Sequence, residues 1–170
     1  MKKHTWIIII FILTFLLSVI FSTVSNVIAN NLNVYFLLAI LLLVIFTGII
    51  FDMIGVASLT SNEATFHAKA TRKIKGAKTA VKIIKNSNKM ATICCDIVGD
   101  ICGIVSGSLV AILAIYIAKH IDNISLVTII ITALVSSLTV GLKAVLKTVA
   151  VKKCDIIIDI VSKILTIFHF

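Results

Sequence analysis

The sequence predicts an all-α integral membrane protein with about four transmembrane helices, a basic amphipathic juxtamembrane helix and a C-terminal interfacial helix. Three observations predict it. Sixty per cent of the 170 residues are hydrophobic and none is proline, and the mean hydropathy is +1.19. A soluble domain of this length averages about half apolar, so the excess points to lipid rather than to a larger core. Four stretches reach the roughly 20 apolar residues that a bilayer core requires of a helix: Trp6 to Ile28, Val34 to Leu59, Ala91 to Ala118, and Ile124 to about Lys147. The formal net charge of +9 is concentrated between and around these runs. They lack period-two alternation and are too long for membrane strands, which argues against a barrel.

The first run follows Met1-Lys2-Lys3, as a secretory leader would, and Val27-Ile28-Ala29 resembles a small-residue cleavage site. Its apolar core is longer than the roughly 7–15 residues of a signal peptide, so it reads as an uncleaved helix. Residues 1–33 are this extra helix and a short external loop. Residues 34–150 form the main transmembrane domain, including a juxtamembrane helix over 61–86, and 151–170 form a C-terminal amphipathic helix.

The juxtamembrane segment carries Lys69, Arg72, Lys73, Lys75, Lys78, Lys82, Lys85 and Lys89. Thr60-x-x-Glu63 matches a capping box at its start. Phe66, Ala70, Ile74, Ala77, Val81 and Ile84 then recur at helical spacing, with lysines opposite. Asn86-Ser87-Asn88 breaks the pattern and can cap the next helix. Such a helix lies in the interface, its lysines against anionic headgroups. Aromatic interleaving and a reading motif are absent, which argues against nucleic acid. Lys2, Lys3, Lys152 and Lys153 flank the first and last runs, while the other two linkers hold only Lys119. The positive-inside rule then places both termini and the basic segment in the cytoplasm, in a multi-pass protein of the cell membrane. In the tail, Asp155, Asp159, Ser162, Lys163 and Thr166 share a polar side that reads as solvated.

Charges within apolar runs are costly and mark function or packing. Asp52, Asp96, Asp100 and Lys143 are such charges. In the third run Asp96, Gly99, Asp100, Gly103, Ser106 and Gly107 form one stripe at three- and four-residue steps. Gly99, Gly103 and Gly107 would admit a neighbouring backbone. In the fourth run Thr132, Ser136, Thr139, Lys143 and Lys147 form a second stripe, and the short Lys119–Asn123 linker makes the two helices antiparallel neighbours. At about 1.5 Å per residue, Asp100 lies about 14 Å from its cytoplasmic helix end. By the same rise, Asp96 and Lys143 are about 6–10 Å deep and Asp52 is about 12 Å from Thr60. All four can meet in one polar centre. Three carboxylates against one ammonium suit a bound cation, raised carboxylate pKa values, or a charge-neutralised packing network.

Cys94, Cys95, Cys102 and Cys154 read as small apolar side chains rather than a disulfide or metal framework. His4, His67, His120 and His169 are scattered, and no phosphate loop or zinc spacing occurs. An enzyme is not expected.

From Phe51 onward, over about two-thirds of the chain, the sequence resembles the transmembrane domain of the cyclin-M/CorB–CorC family of magnesium transporters. The residues that carry the resemblance are Phe51-Asp52-Met53-Ile54-Gly55-Val56-Ala57-Ser58, the basic run Ala77 to Lys89, Gly99-Asp100, and Lys143-Ala144-Val145-Leu146-Lys147-Thr148-Val149-Ala150. The resemblance implies a dehydrated magnesium ion held by serine, asparagine and glutamate groups. Here Asp52 stands at a serine position, Ile54-Gly55 replaces the serine-glutamate pair, Asp100 replaces the asparagine, and Lys143 replaces a glutamate. A tethered ammonium thus occupies the cation's place.

Two functions follow as expectations. One is a stand-alone divergent transporter of Mg2+ or another divalent cation, with Asp52, Asp96 and Asp100 as ligands and Lys143 as gate. The other is a transport-incompetent scaffold or accessory subunit, in which Lys143 neutralises the former site and the glycine stripe packs a homodimer. A small membrane-permeabilising protein is a third, weaker reading of the basic helix.

Overall fold

The computed structural model describes the backbone of residues 3–31, 33–118 and 124–167. The linker Lys119–Asn123, including His120, and the terminal residues Lys2 and His169 lie outside them. Every element among the described residues is helical: α1 Lys3–Asn31, α2 Val34–Thr60, α3 Glu63–Thr71, α4 Ala77–Lys85, α5 Ser87–Ala91, a π-helical segment Thr92–Gly99, α6 Asp100–Ala118, α7 Ile124–Lys152 and α8 Cys154–Ile167. Three stretches are long and apolar enough to cross a membrane: Val34–Thr60, Ser87–Ala118 and Ser125–Lys152. About four were expected; among the described residues the first helix adds the shorter apolar stretch Ile8–Val24. The central member runs without a break from α5 through the π-helical turn into α6.

The chain divides into two compact units, Met1–Gly48 with Ile97–Leu142, and Ile49–Asp96 with Lys143–Phe170. Apart from Lys2, Lys3, Asp100, Lys119 and Asp122, every lysine, arginine, aspartate and glutamate belongs to the second unit.

The first unit packs around an apolar cluster. Ile97, Ile101, Val105, Leu109 and Leu113 recur every fourth residue, and Leu37 and Leu41 of α2 close on them. Ile10 and Leu17 of α1 and Val135 of α7 pack at the edge of this cluster. Leucine, phenylalanine and isoleucine side chains point outward along all of its helices, as in Phe15, Phe46, Ile104 and Leu134. Outward apolar surface is stable against acyl chains, where helices associate by close packing rather than by hydrophobic expulsion.

The second unit is built on α3, α4 and α8, around Ala57, Phe66, Ala80, Ile83, Ile84 and Ile158. The single helix expected over 61–86 is in fact two. Asn62 caps α3, its side-chain oxygen accepting from the Ala64 N–H at 3.0 Å. The Thr60–Glu63 capping box does not form: Thr60 Oγ1 donates back to the Val56 carbonyl, and Glu63 pairs with His67. α3 stops because Lys73 and Gly76 take positive φ, 56° and 87°. A side chain at Gly76 would also sit 3.1–3.2 Å from Ser162 and Lys163 of α8, so only glycine suits that turn. α4 then buries Ala77, Ala80, Ile83 and Ile84 and leaves Lys78, Lys82 and Lys85 exposed.

The polar side of α8 is not the solvated face expected of it. Ser162 is fully buried, Thr166 Oγ1 lies 3.0 Å from Thr79 Oγ1 of α4, and Asp159 is held between Lys163 Nζ at 3.1 Å and Lys69 Nζ at 3.5 Å. Burial pushes the Asp159 carboxyl up, but the hydrogen bond from Lys163 and the charge of Lys69 outweigh it, leaving its pKa below the ordinary aspartate value. Lys69 also lies 4.8 Å over the ring of the buried Phe66, a cation–π contact that fixes its direction.

Candidate functional site

In the second unit Asp52 is the one buried acidic side chain among the described residues, with 4% of its surface exposed. α2 carries it one turn before Gly55, on the face turned toward α7 and the π-helical segment. Lys143 and Lys147 are four residues apart on α7, so both ammonium groups project from one face. Lys143 Nζ lies 3.2 Å from Asp52 Oδ2, and Lys147 Nζ lies 3.8 Å from the same oxygen. Two cations against one carboxylate leave the site positive. Nearby, Cys95 Sγ donates to the Asp52 carbonyl at 3.6 Å, and Ser58 Oγ donates to the Gly55 carbonyl at 2.7 Å.

The site depends on close helix approach, and the glycines that permit it are not those singled out from sequence. A Cβ on Gly55 would collide with Cys95 Sγ, and one on Gly48 would sit 2.8 Å from Cys102 Cβ. Gly48 and Gly55 are seven residues apart on α2 and so recur after two α-helical turns, and each meets a cysteine, Cys102 and Cys95 respectively. The seven-residue step on α2 was legible in the sequence; the cysteines opposite it were not. By contrast, a Cβ at Gly103 or Gly107 would meet nothing within 4 Å. Gly99 is buried, whereas Asp96, Asp100, Gly103 and Gly107 are exposed.

The acidic-glycine stripe is therefore not a packed face within the chain: Asp96, Asp100, Gly103 and Gly107 share an exposed side. Cys94, Cys95 and Asp96 lie in the π-helical segment Thr92–Gly99, whose turns are wider than those of an α-helix. The packed face of the span is instead Cys94, Ile97, Ile101, Val105 and Leu109. Of the four charges expected to converge, the structure pairs Asp52 with Lys143. Asp96 and Asp100 are exposed, and no ion pair of either occurs among the described residues. Among the described residues no group of three or more His, Cys, Asp or Glu side chains is placed to hold a metal ion. The four cysteines are free thiols.

No family model, curated protein or solved structure matches the chain. The chemistry of the site thus rests on its own geometry.

Proposed function

We infer that this chain is a multi-pass scaffold or accessory subunit of the cell membrane, its termini and basic unit on the cytoplasmic side, with Asp52 serving as a buried structural anchor. The observation that carries this reading is the Asp52 carboxylate, buried and 3.2 Å from Lys143, with Lys147 on the same oxygen. A divalent cation needs several oxygens and excess negative charge. Two ammonium groups supply the charge that such a cation would supply.

Asp52 lies eight residues before the end of α2 at Thr60 and Lys143 nine before the end of α7 at Lys152, about 12–14 Å of helix, so both belong to the end of each helix that leads into the basic unit. There a buried pair can tie helix ends together while Lys147 reaches headgroups.

The rival function is divalent-cation transport, with exposed Asp96 and Asp100 guiding the ion. A Mg2+ titration of thermal unfolding in detergent, with Mg2+ flux in proteoliposomes, separates the two. The scaffold reading expects no shift beyond that given by matched ionic strength, and no flux above empty liposomes. A saturable Mg2+ stabilisation together with flux, both lost in Asp100→Asn or Asp52→Asn, would overturn it in favour of transport.

A further inference from the structure

The outer face of α8 is a ridge of isoleucine. Ile156, Ile160, Ile164 and Ile167 are 58%, 53%, 49% and 79% exposed, while Ile158 on the opposite side is fully buried. On a helix these four positions fall within about a quarter of the circumference, so they make one continuous strip. α8 thus has two apolar sides: Ile157, Ile158, Val161 and Leu165 pack inward on the core of the second unit, and the ridge is a further strip that this core leaves uncovered. A surface helix in water buries one apolar stripe and solvates the rest. Part of the polar side of α8 is also turned inward, through buried Ser162, the Thr166–Thr79 contact and the Lys69–Asp159 pair.

What covers the ridge follows from where α8 begins. It starts at Cys154, with only Lys153 between it and Lys152, the last residue of a helix long and apolar enough to span a bilayer. A helix tethered by one residue to the end of a span starts at the lipid surface. Lys152, Lys153 and Lys163 are exposed beside the ridge, with Lys163 also bonded to Asp159. An apolar strip flanked by lysines is the pattern of a helix lying in the plane of an anionic leaflet. We propose that the isoleucine ridge of α8 seats in the headgroup–acyl boundary of an anionic leaflet, with Lys152, Lys153 and Lys163 on the phosphates. The second unit is thereby held against the membrane at two places, the ends of its spans and α8. This inference rests on the membrane-spanning reading above.

The test uses the full chain in lipid nanodiscs with one copy per disc. Its natural Trp6 is replaced by Phe, and single tryptophans are placed at Ile160 and, as a control, at Leu134 on the outward face of α7. Lipids brominated at shallow or deep acyl positions quench tryptophans at matching depth. We expect Ile160→Trp to be quenched at least twofold more by the shallow lipid than by the deep one. Leu134→Trp should be quenched by the deep lipid. Quenching of Ile160→Trp should drop at least twofold in purely zwitterionic discs, or when Lys152, Lys153 and Lys163 are all changed to Gln. A quenched Leu134→Trp beside an unquenched, red-emitting Ile160→Trp overturns the proposal and leaves the spans intact. An unquenched but blue-shifted Ile160→Trp also overturns it, because protein then covers the ridge. If neither tryptophan is quenched, the membrane-spanning reading itself fails. Equal quenching with and without anionic lipid refutes the role given to the lysines.

Discussion

Replacing Lys143 by Met tests the anchor directly. At 3.2 Å and an effective dielectric near 20, Lys143 and Asp52 attract by about 5 kcal/mol. Removing both charges from water offsets much of this, so the pair's net contribution is small. The single substitution differs, because it strands a carboxylate that is only 5% exposed. Losing one partner of a buried pair costs about 3–5 kcal/mol. Lys147, 3.8 Å from the same oxygen and 46% exposed, keeps a solvent-screened share. Lys143→Met should therefore destabilise the protein by about 2–3 kcal/mol, and Lys147→Met by about 1 kcal/mol or less. The double variant Asp52→Leu with Lys143→Leu should recover to within about 1–2 kcal/mol of wild type, since no charge is then stranded. Reversible unfolding in mixed micelles, followed by circular dichroism, measures all of these. A Lys143→Met protein as stable as wild type, or a double variant equal to the sum of its singles, would refute the reasoning.

Other outcomes follow from the same structure. Gly55→Val should lower stability by about 1–3 kcal/mol by forcing α2 off Cys95, whereas Gly103→Ala should change it by under about 1 kcal/mol; equal losses in the same assay contradict the packing described. Asn62→Ala should cost about 1 kcal/mol through the lost cap, while Thr60→Val should cost less, as read by hydrogen exchange of the first turn of α3. Gly76→Ala should cost about 1–2 kcal/mol, combining a positive-φ penalty with the contact to α8. For Asp159 the folded pKa is depressed, so its contribution is present above the unfolded value of about 3.9 and is lost as pH falls through the lowered folded value. Proteolysis of α8 should thus rise in that acid window in wild type, and Asp159→Asn should remove the pH dependence of that step.

Some of this was legible from the chain. Length and predominant apolarity mark Val34–Thr60 and Ser125–Lys152 as helices long enough to cross a membrane, because a bilayer core requires about 20 mainly apolar residues of a helix. The lysine cluster and the break at Asn86 were also readable, since charge and capping chemistry act over a few residues. Other features lay beyond it. Thr60-x-x-Glu63 and Asn62 are competing caps with nearly equal local merit, and the choice falls to how the chain leaves α2. The one-helix reading of 61–86 failed at Gly76, whose left-handed turn is needed because α8 packs against it. The acidic-glycine stripe does lie along one side of the third long helix, but Asp96, Asp100, Gly103 and Gly107 are exposed there, and no periodicity says which side of a helix meets a neighbour.

The sequence by itself determined that this protein has membrane-length apolar helices, a basic segment between the second and third, and an aspartate and a lysine within two of those helices. Periodicity and hydropathy are local quantities, and they are complete within one helix. Only the tertiary structure decided which charge meets Asp52, that Gly48 and Gly55 rather than Gly103 and Gly107 face a neighbour, and that α8 buries Ile158 while turning Ile156, Ile160, Ile164 and Ile167 outward. Each of those depends on the rotation of one helix about its axis relative to another. That rotation is set by the packing of residues far apart in the chain, Asp52 with Lys143 and Gly76 with Ser162 among them.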